Sequence, residues 1–211
     1  MTQGGHGLSV VDLEVGYDHS ILGPFTWDVA PGEILAVLGP SGCGKSTLLS
    51  TIVGAVEPRA GSVLLNNRNL GGVPIHERGI GLVFQEPLLF PHLSLIDNIA
   101  YGLRAHRVPR DHARARAAEL LDWVGLNAVK DQRPWEISGG QAGRIALARA
   151  LAPRPQALLF DEPYSALDSP TRLRLAAQVK ELIADQHIPA IHVTHDQSEA
   201  EFISTHILHL P

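Results

Sequence analysis

Apolar and polar residues alternate from Val10 to Val15, the period-two pattern of a strand with one buried face. A Pro31-Gly32 turn signal follows Val29. The nearly continuous apolar run Glu33 to Leu38 then predicts a strand covered on both faces. Gly39 to Gly44 is a glycine-rich turn, and Lys45 to Val53 reads as a helix that Gly54 stops. Ser62 to Leu65 and Ile80 to Phe84 read as short strands. From about Glu86 to Pro155 strand signals fade and alanine, arginine and leucine take over. There Arg110 to Val124 places Ala113, Ala117, Leu120, Leu121 and Val124 on one helical face, ended by Gly125. The basic run Arg104 to Arg116 reads as a solvated helix face. Gly139 to Ala152 predicts a further helix, stopped by Pro153. Strands return at Ala157 to Phe160, Ile188 to Val193 and Thr205 to Leu210. Between the first two, Ser169 reads as a cap with Pro170 at the first helical position, and Leu173, Ala176, Val179 and Ile183 form the buried stripe. Strands alternating with helices imply an α/β chain with a parallel sheet, interrupted by a helical insertion.

Composition narrows the function. The 211 residues suit one α/β domain with one insertion rather than several domains. The net charge of −5 argues against a general nucleic-acid coat, which needs a cationic face. Charged residues make up 18%, below the usual quarter, which leaves surface for a protein partner. One cysteine excludes an internal disulfide framework and a thiolate zinc site. His187, His192 and His195 stand near one another in sequence without a carboxylate or cysteine set around them, so zinc is not expected. Met1 to Gly7 lacks the basic and apolar parts of a signal peptide, and no apolar stretch approaches the ~20 residues of a membrane span, so the chain is expected to be soluble.

Gly39-Pro40-Ser41-Gly42-Cys43-Gly44-Lys45-Ser46 matches G-x-x-x-x-G-K-[ST] in full, between a buried strand and a helix. Glycines let backbone N–H groups converge on phosphate oxygens, and the helix N-terminus adds its positive dipole end. Lys45 is expected at the β- and γ-phosphates, and the Ser46 hydroxyl suits Mg²⁺. Cys43 is expected to contribute its backbone rather than its thiol. The strand Ala157 to Phe160 ends in Asp161-Glu162. Two acids at a strand end are common on surfaces. In a chain with a phosphate loop they suit a water-mediated Mg²⁺ contact at Asp161 and a general base at Glu162. Ser138-Gly139-Gly140-Gln141 opens the helix after the insertion. It reads as a capping box, with Ser138 as cap and Gln141 three residues later. Two glycines in a first turn cost about 1 kcal/mol each against alanine, which alternatively points to a second anion site needing close backbone approach.

In this order and spacing the motifs resemble those of the nucleotide-binding subunit of ATP-binding cassette (ABC) transporters, over almost the whole chain from about Leu8. The phosphate loop Gly39 to Thr47 is followed by Gln85, like the family's Q-loop. Ser138 to Gln141 matches the signature motif, and Leu159 to Pro163 the acidic strand. Ser165-Ala166-Leu167-Asp168 looks like the D-loop. His195 falls at the switch histidine, and Tyr17 where an aromatic stacks on adenine. Ala142 and Gly143 depart from the polar residues common after the signature, and Gly143 is expected to weaken that first turn.

The resemblance implies a P-loop NTPase (RecA-like) core from residues 1–85 and 156–211, with a mostly parallel sheet and an N-terminal antiparallel β subdomain. A helical signature subdomain would span 86–155. It implies ATP and Mg²⁺ as cofactors and a homodimer that sandwiches two ATP molecules. Gly39, Pro40, Ser41, Gly42, Cys43, Gly44, Lys45, Ser46 and Thr47 of one chain would face Ser138, Gly139, Gly140 and Gln141 of the other. Glu162 would orient water, His195 hold the γ-phosphate, Gln85 sense Mg²⁺ and Asp168 act across the pair. Ser46, Gln85 and Asp161 are the metal candidates. The apolar, proline-bracketed segment Glu86 to Leu95 reads either as a loop folded onto the insertion or as a groove wall for a membrane permease. Its sequence resembles short importer ATPases of the thiamine, ion and polyamine group, with no C-terminal regulatory β-domain expected after Pro211. The expected partners are permease subunits and, through them, an extracytoplasmic solute-binding protein, but no nucleic acid. The expected location is peripheral, on the cytoplasmic face of the membrane. A soluble ABC-type ATPase and a small-molecule kinase are the alternatives.

Overall fold

The computed structural model describes residues 7–17, 20–165 and 167–211. They fall into two compact units. One is formed by described residues up to Leu82 with Gln156–Glu162 and Leu173–Pro211. The other is formed by Val83–Pro155 with Pro163–Arg172.

In the first unit, β1 (Leu8–Tyr17), β2 (Ser20–Val29), β4 (Ala60–Leu65) and β5 (Arg68–Asn69) form a four-stranded antiparallel sheet in the order β2-β1-β4-β5. Strands β3 (Ile34–Leu38), β6 (Ile80–Val83), β7 (Ala157–Asp161), β8 (Ala190–Thr194) and β9 (His206–His209) form a five-stranded sheet in the order β6-β7-β8-β3-β9. The pairs β7–β8, β8–β3 and β3–β9 are parallel. The apolar runs predicted for two-sided burial are buried: Ala36, Val37 and every residue from Ala157 to Phe160 are inaccessible to solvent. Helix α1 (Lys45–Val53) sends Leu48, Leu49, Ile52 and Val53 into one core with Leu8, Val10 and Leu13 of β1 and Leu35, Leu159 and Ile191 of the parallel sheet. Gly54 ends α1 in the left-handed region at φ 90°, where a Cβ would stand 2.2 Å from the Arg78 guanidinium carbon. Arg78 in turn donates to the carbonyls of Ile52 and Val73 at 3.0 and 2.9 Å.

Helix α5 (Ser169–Gln186) departs from expectation in two ways. Its cap is Asp168, whose Oδ1 accepts from the Thr171 N–H at 3.0 Å, so Ser169 is the first helical residue. Its buried stripe is Leu175, Ala176, Val179 and Ile183, while Leu173 is 56% exposed. At about 100° per residue Leu173 lies roughly 120° around the helix from Val179, outside that stripe. Helix α6 (Gln197–Ile203), which the sequence pattern did not indicate, is capped by the Asp196 side chain.

The second unit holds α2 (Leu95–Ala105), α3 (Arg110–Trp123) and α4 (Gly139–Leu151), which bury Ile96, Ile99, Ala117, Leu121, Ile145 and Ala148. Helix α2 is absent from the sequence reading, although Ser94 followed by Asp97 is a cap signal: the Ser94 side chain accepts from the Asp97 N–H. The basic run Arg104 to Arg116 is therefore not one helix face. It crosses the end of α2, a turn with Arg107 at φ 63°, and the start of α3, because Pro109 disfavours helix in the residue before it. Asn98, fully buried on α2, accepts from the Phe90 N–H at 2.7 Å and donates to the carbonyls of Phe90, Leu93 and Ser94 at 3.1, 3.3 and 3.0 Å. One amide side chain thus shapes the preceding loop. Asn98→Ala takes the amide away from the Phe90 N–H and the Leu93 carbonyl and is expected to lower stability by about 2–3 kcal/mol, measured as a lower denaturant midpoint.

Candidate functional site

The loop Gly39–Gly44 carries the chain from β3 into α1. Gly42 and Gly44 take φ 83° and 97°, a region that side chains rarely adopt, and a Cβ on Gly44 would stand 2.2 Å from Leu22 Cδ1. The Lys45 side chain, 6% exposed, folds back into the loop. Its Nζ donates to the carbonyls of Gly39 and Pro40 at 2.8 and 2.9 Å. Ser46 is exposed at the first turn of α1. A cavity of about 260 Å³ opens beside the loop, lined by Gly16, Leu22, Gly42, Cys43, Gly44, Thr47 and Pro211. Leu22 comes from β2, and nothing in its local sequence marks it. Cys43 lines the same cavity and packs its sulfur against Gly39, so its thiol has a place in the site beside its backbone. The side chain of Tyr17 lies outside the described residues. A larger hollow of about 430 Å³, at the far end of α1 around Gly54, Asn69 and Arg78, holds none of the sequence-predicted residues.

Asp161 closes β7 and Glu162 follows it. Glu162 has φ 45°, a conformation that costs a non-glycine residue on the order of 1–3 kcal/mol and that concentrates at functional sites. Its N–H donates to the Val193 carbonyl at 3.0 Å. Its carboxylate, 14% exposed, stands 3.9 Å from Lys45 Nζ and 2.9 Å from Nδ1 of His195. Burial pushes the Asp161 carboxyl above the ordinary aspartate range, and the neighbouring Glu162 charge adds to this. A hydrogen bond from Ser46 and the charge of Lys45 oppose it. His195 sits between β8 and α6 in a turn closed from both sides: the Asp196 N–H donates to Thr194 Oγ1 at 3.1 Å, and Asp196 Oδ1 accepts from the Glu199 N–H at 3.1 Å. Behind it, the fully buried His192 meets Glu199 at 2.6 Å through Nε2 and packs on Phe160. His192 and His195 therefore each have one carboxylate partner. Among the described residues, no three His, Cys, Asp or Glu side chains gather as a metal cluster. Ser46 joined to Asp161 is a pair of hard oxygen donors, which fits Mg²⁺, an ion that takes few protein ligands and keeps waters and phosphate oxygens.

Lys45, Ser46, Asp161, Glu162 and His195 thus meet in the first unit, at the C-terminal ends of β3, β7 and β8. Gln85, Ser138, Gly139, Gly140, Gln141 and Asp168 belong to the second unit. Ser138 and Gln141 close a reciprocal capping box: the Ser138 N–H donates to Gln141 Oε1 at 2.9 Å and the Gln141 N–H to Ser138 Oγ at 3.3 Å. Helix α4 runs unbroken through Gly140 and Gly143, so Gly143 does not interrupt the first turn. A Cβ at Gly139 would meet nothing within 4 Å among the described residues, so the fold of the chain does not itself demand glycine there. Gln85 lies in an exposed bend after β6, and Asp168 caps α5. Ala166 lies outside the described residues.

The ABC transporter family pattern matches residues 22–165, well over half of the chain. The chain belongs to the ABC transporter family. Among its curated ABC relatives, the sulfate/thiosulfate import ATP-binding protein CysA of Thermosynechococcus vestitus is 46% identical over 181 residues, covering 86% of this chain and 54% of that protein. The spermidine/putrescine import ATP-binding protein PotA of Frankia alni is 48% identical over 85% of this chain and 38% of its own length. The Fe(3+) ions import ATP-binding protein FbpC 1 of Rhizobium meliloti is 43% identical, with 85% and 51% covered. The chain therefore spans about half the length of these relatives or less. The dimeric post-hydrolysis structure of the ATP-binding cassette MJ0796 bound to ADP and Pi superposes with a TM-score of 0.87 at 30% identity, over 96% of this chain and 94% of that one. The α/β cassette fold, with its antiparallel and parallel sheets, is thereby established.

A carboxyl whose native pKa lies above its unfolded value destabilises the fold once ionised, and that penalty vanishes as pH falls through the native pKa. Asp161→Asn is therefore expected to raise the stability of the nucleotide-free chain at pH 7. The advantage over the parent shrinks as the solution is acidified, as read from denaturant melts at neutral and acid pH.

Proposed function

We propose that this chain is the ATP-hydrolysing subunit of a membrane importer for a small solute, working as a head-to-tail pair that encloses two Mg²⁺-ATP. The observation that carries the reading is Glu162, held in a strained backbone between Lys45 and His195 beside a complete phosphate loop. Gly39 to Thr47 bind the triphosphate through converging N–H groups, with the helix α1 dipole behind them. Lys45 exchanges the Gly39 and Pro40 carbonyls for β- and γ-phosphate oxygens. Ser46 and Asp161, the latter through water, would hold Mg²⁺ with Gln85 as the further candidate, and the ion when bound would supply positive charge to the triphosphate. Glu162 accepts the proton of the water that attacks the γ-phosphorus. The Nδ1–H of His195 keeps that carboxylate oriented and its ring flanks the γ-phosphate. Leu22 covers the nucleobase side of the cradle, and Tyr17 is the residue that the motif order assigns to the adenine.

The second chain completes the pocket. Its Ser138, Gly139, Gly140 and Gln141 present first-turn N–H groups of α4 to the γ-phosphate, and its Asp168 acts across the pair. The open space over Gly139 and the dimeric state named for the MJ0796 cassette support this arrangement. In this reading residues 1–85 and 156–211 form the nucleotide-binding core and 86–155 the signature subdomain. The exposed Phe84, Leu88 and Tyr101 beside the Glu86 to Leu95 segment form the surface for a permease helix at the cytoplasmic face. The import functions named for the sulfate, polyamine and iron relatives support transport over a soluble role. A solute-binding protein acts through the permease, and nucleic acid has no part.

Glu162→Gln is expected to bind ATP, to turn over at least about 100-fold more slowly and to elute as a nucleotide-bound dimer. Turnover at the parent rate contradicts the assignment of the base. Lys45→Ala is expected to weaken nucleotide affinity more than about tenfold in equilibrium titration, and unchanged affinity contradicts the cradle. A tagged chain solubilised from its native membranes is expected to bring a polytopic membrane protein with it; recovery free of membrane protein favours a soluble ATPase.

A further inference from the structure

Helix α4 has two ends with different neighbours. Its first turn, at Ser138, is the part that the proposed function assigns to the γ-phosphate held by the second copy. Eleven residues later, about 16 Å along the axis, Arg149 turns back onto the segment that follows Gln85. Its Nη1 donates to the Leu88 carbonyl at 2.8 Å and its Nη2 to the Pro87 carbonyl at 3.0 Å, and its guanidinium lies 5.6 Å from the centre of the Phe90 ring. Burial holds this guanidinium below the ordinary arginine range, which marks a cation removed from water and partnered by carbonyl oxygens and a ring face.

The gripped backbone is not relaxed. Leu88 has φ 43°, a left-handed conformation that is unfavourable for a residue with a Cβ. The Leu88 side chain is 57% exposed, so packing does not hold this turn. The two-pronged bond from Arg149 does, while Asn98 fixes the next stretch from α2 through Phe90. Asn98 and Arg133, whose Nη1 donates to the His92 carbonyl, hold the later part of the loop, and Arg149 joins its first part to α4. Phe90 stacks on Tyr101 at 4.4 Å, which extends the pinned segment to the exposed aromatic surface.

We propose that Arg149 is the positioning residue that couples the phosphate-facing end of α4 to the Pro87–Phe90 turn, so that nucleotide captured at Ser138 sets the conformation of the permease-facing loop. The proposal rests on the paired-site reading above. A lysine at this position cannot reproduce the grip, because one ammonium lacks the planar fork that meets two carbonyls at once.

Hydrogen exchange tests it in the Glu162→Gln chain, which keeps ATP bound. Mg²⁺-ATP is expected to slow exchange about tenfold or more in peptides covering both 138–143 and 84–95. Adding Arg149→Ala is expected to keep the slowing at 138–143 while the response at 84–95 drops below about twofold, with Arg149→Lys close to the alanine variant. Amides of β3 and β7 report that each variant is folded. A merely structural Arg149 would loosen 84–95 equally with and without ATP and leave the ATP-dependent ratio unchanged. An undiminished response at 84–95 in both variants overturns the coupling. No response at 138–143 with Arg149 intact overturns the paired site, and the coupling with it.

Discussion

A buried ammonium must find acceptors, and the geometry of the first unit is organised around how Lys45 finds them. Left alone at this burial, the charge would be strongly unfavourable. Two carbonyls of its own loop and a carboxylate 3.9 Å away satisfy it. The carbonyls fix the curl of the loop, which needs glycine at positions 42 and 44. The carboxylate belongs to Glu162, whose strained backbone is held by the Val193 carbonyl of the neighbouring strand. Because β7 and β8 are adjacent and β8 pairs with β3 in parallel, the three strand ends deliver a carboxylate, a histidine and a cation to one edge of the sheet. Open α/β sheets place ligands at that edge. Triphosphate oxygens are better partners for Lys45 than neutral carbonyls, so the nucleotide-free loop is already arranged for the exchange.

The second unit poses the opposite demand, donors that need acceptors. The first turn of α4 has N–H groups that the capping box satisfies only in part, and open space over Gly139. A helix end of this kind favours an anion. In the proposed function that anion belongs to the other copy's ATP, and the rest of α4 serves as a rigid rod whose far end holds a strained turn through Arg149. Strain at Glu162 and at Leu88 then has a common setting: each is a left-handed backbone conformation held by hydrogen bonds next to a site where, in the proposed function, something binds.

Much of this was legible in the sequence, for reasons of period and punctuation. The two-sided strands are continuous apolar runs, α1 is bracketed by Lys45 and Gly54, and the phosphate loop is spelled out residue by residue. Helix α2 had a legible signal, since Leu95, Ile96, Ile99 and Ala100 recur at helical spacing behind Ser94, but Asn98 and Gly102 are poor helix formers; Asn98 is there for the loop it binds, not for the helix. Leu173 misled because three-residue spacing to Ala176 looks like a face, although the stripe centres on Val179. The pairing of Glu162 with His195 and Lys45, and the Leu22 wall, join residues distant in sequence, which a linear pattern does not bring together.

The direct measure of the central claim, that each hydrolytic site needs two copies, is the steady-state rate of ATP turnover per chain over a wide dilution series at saturating Mg²⁺-ATP. The account predicts a rate per chain that climbs with protein concentration and then levels off as pairs saturate. A rate per chain that stays constant down to dilutions at which sizing finds only single chains would contradict it.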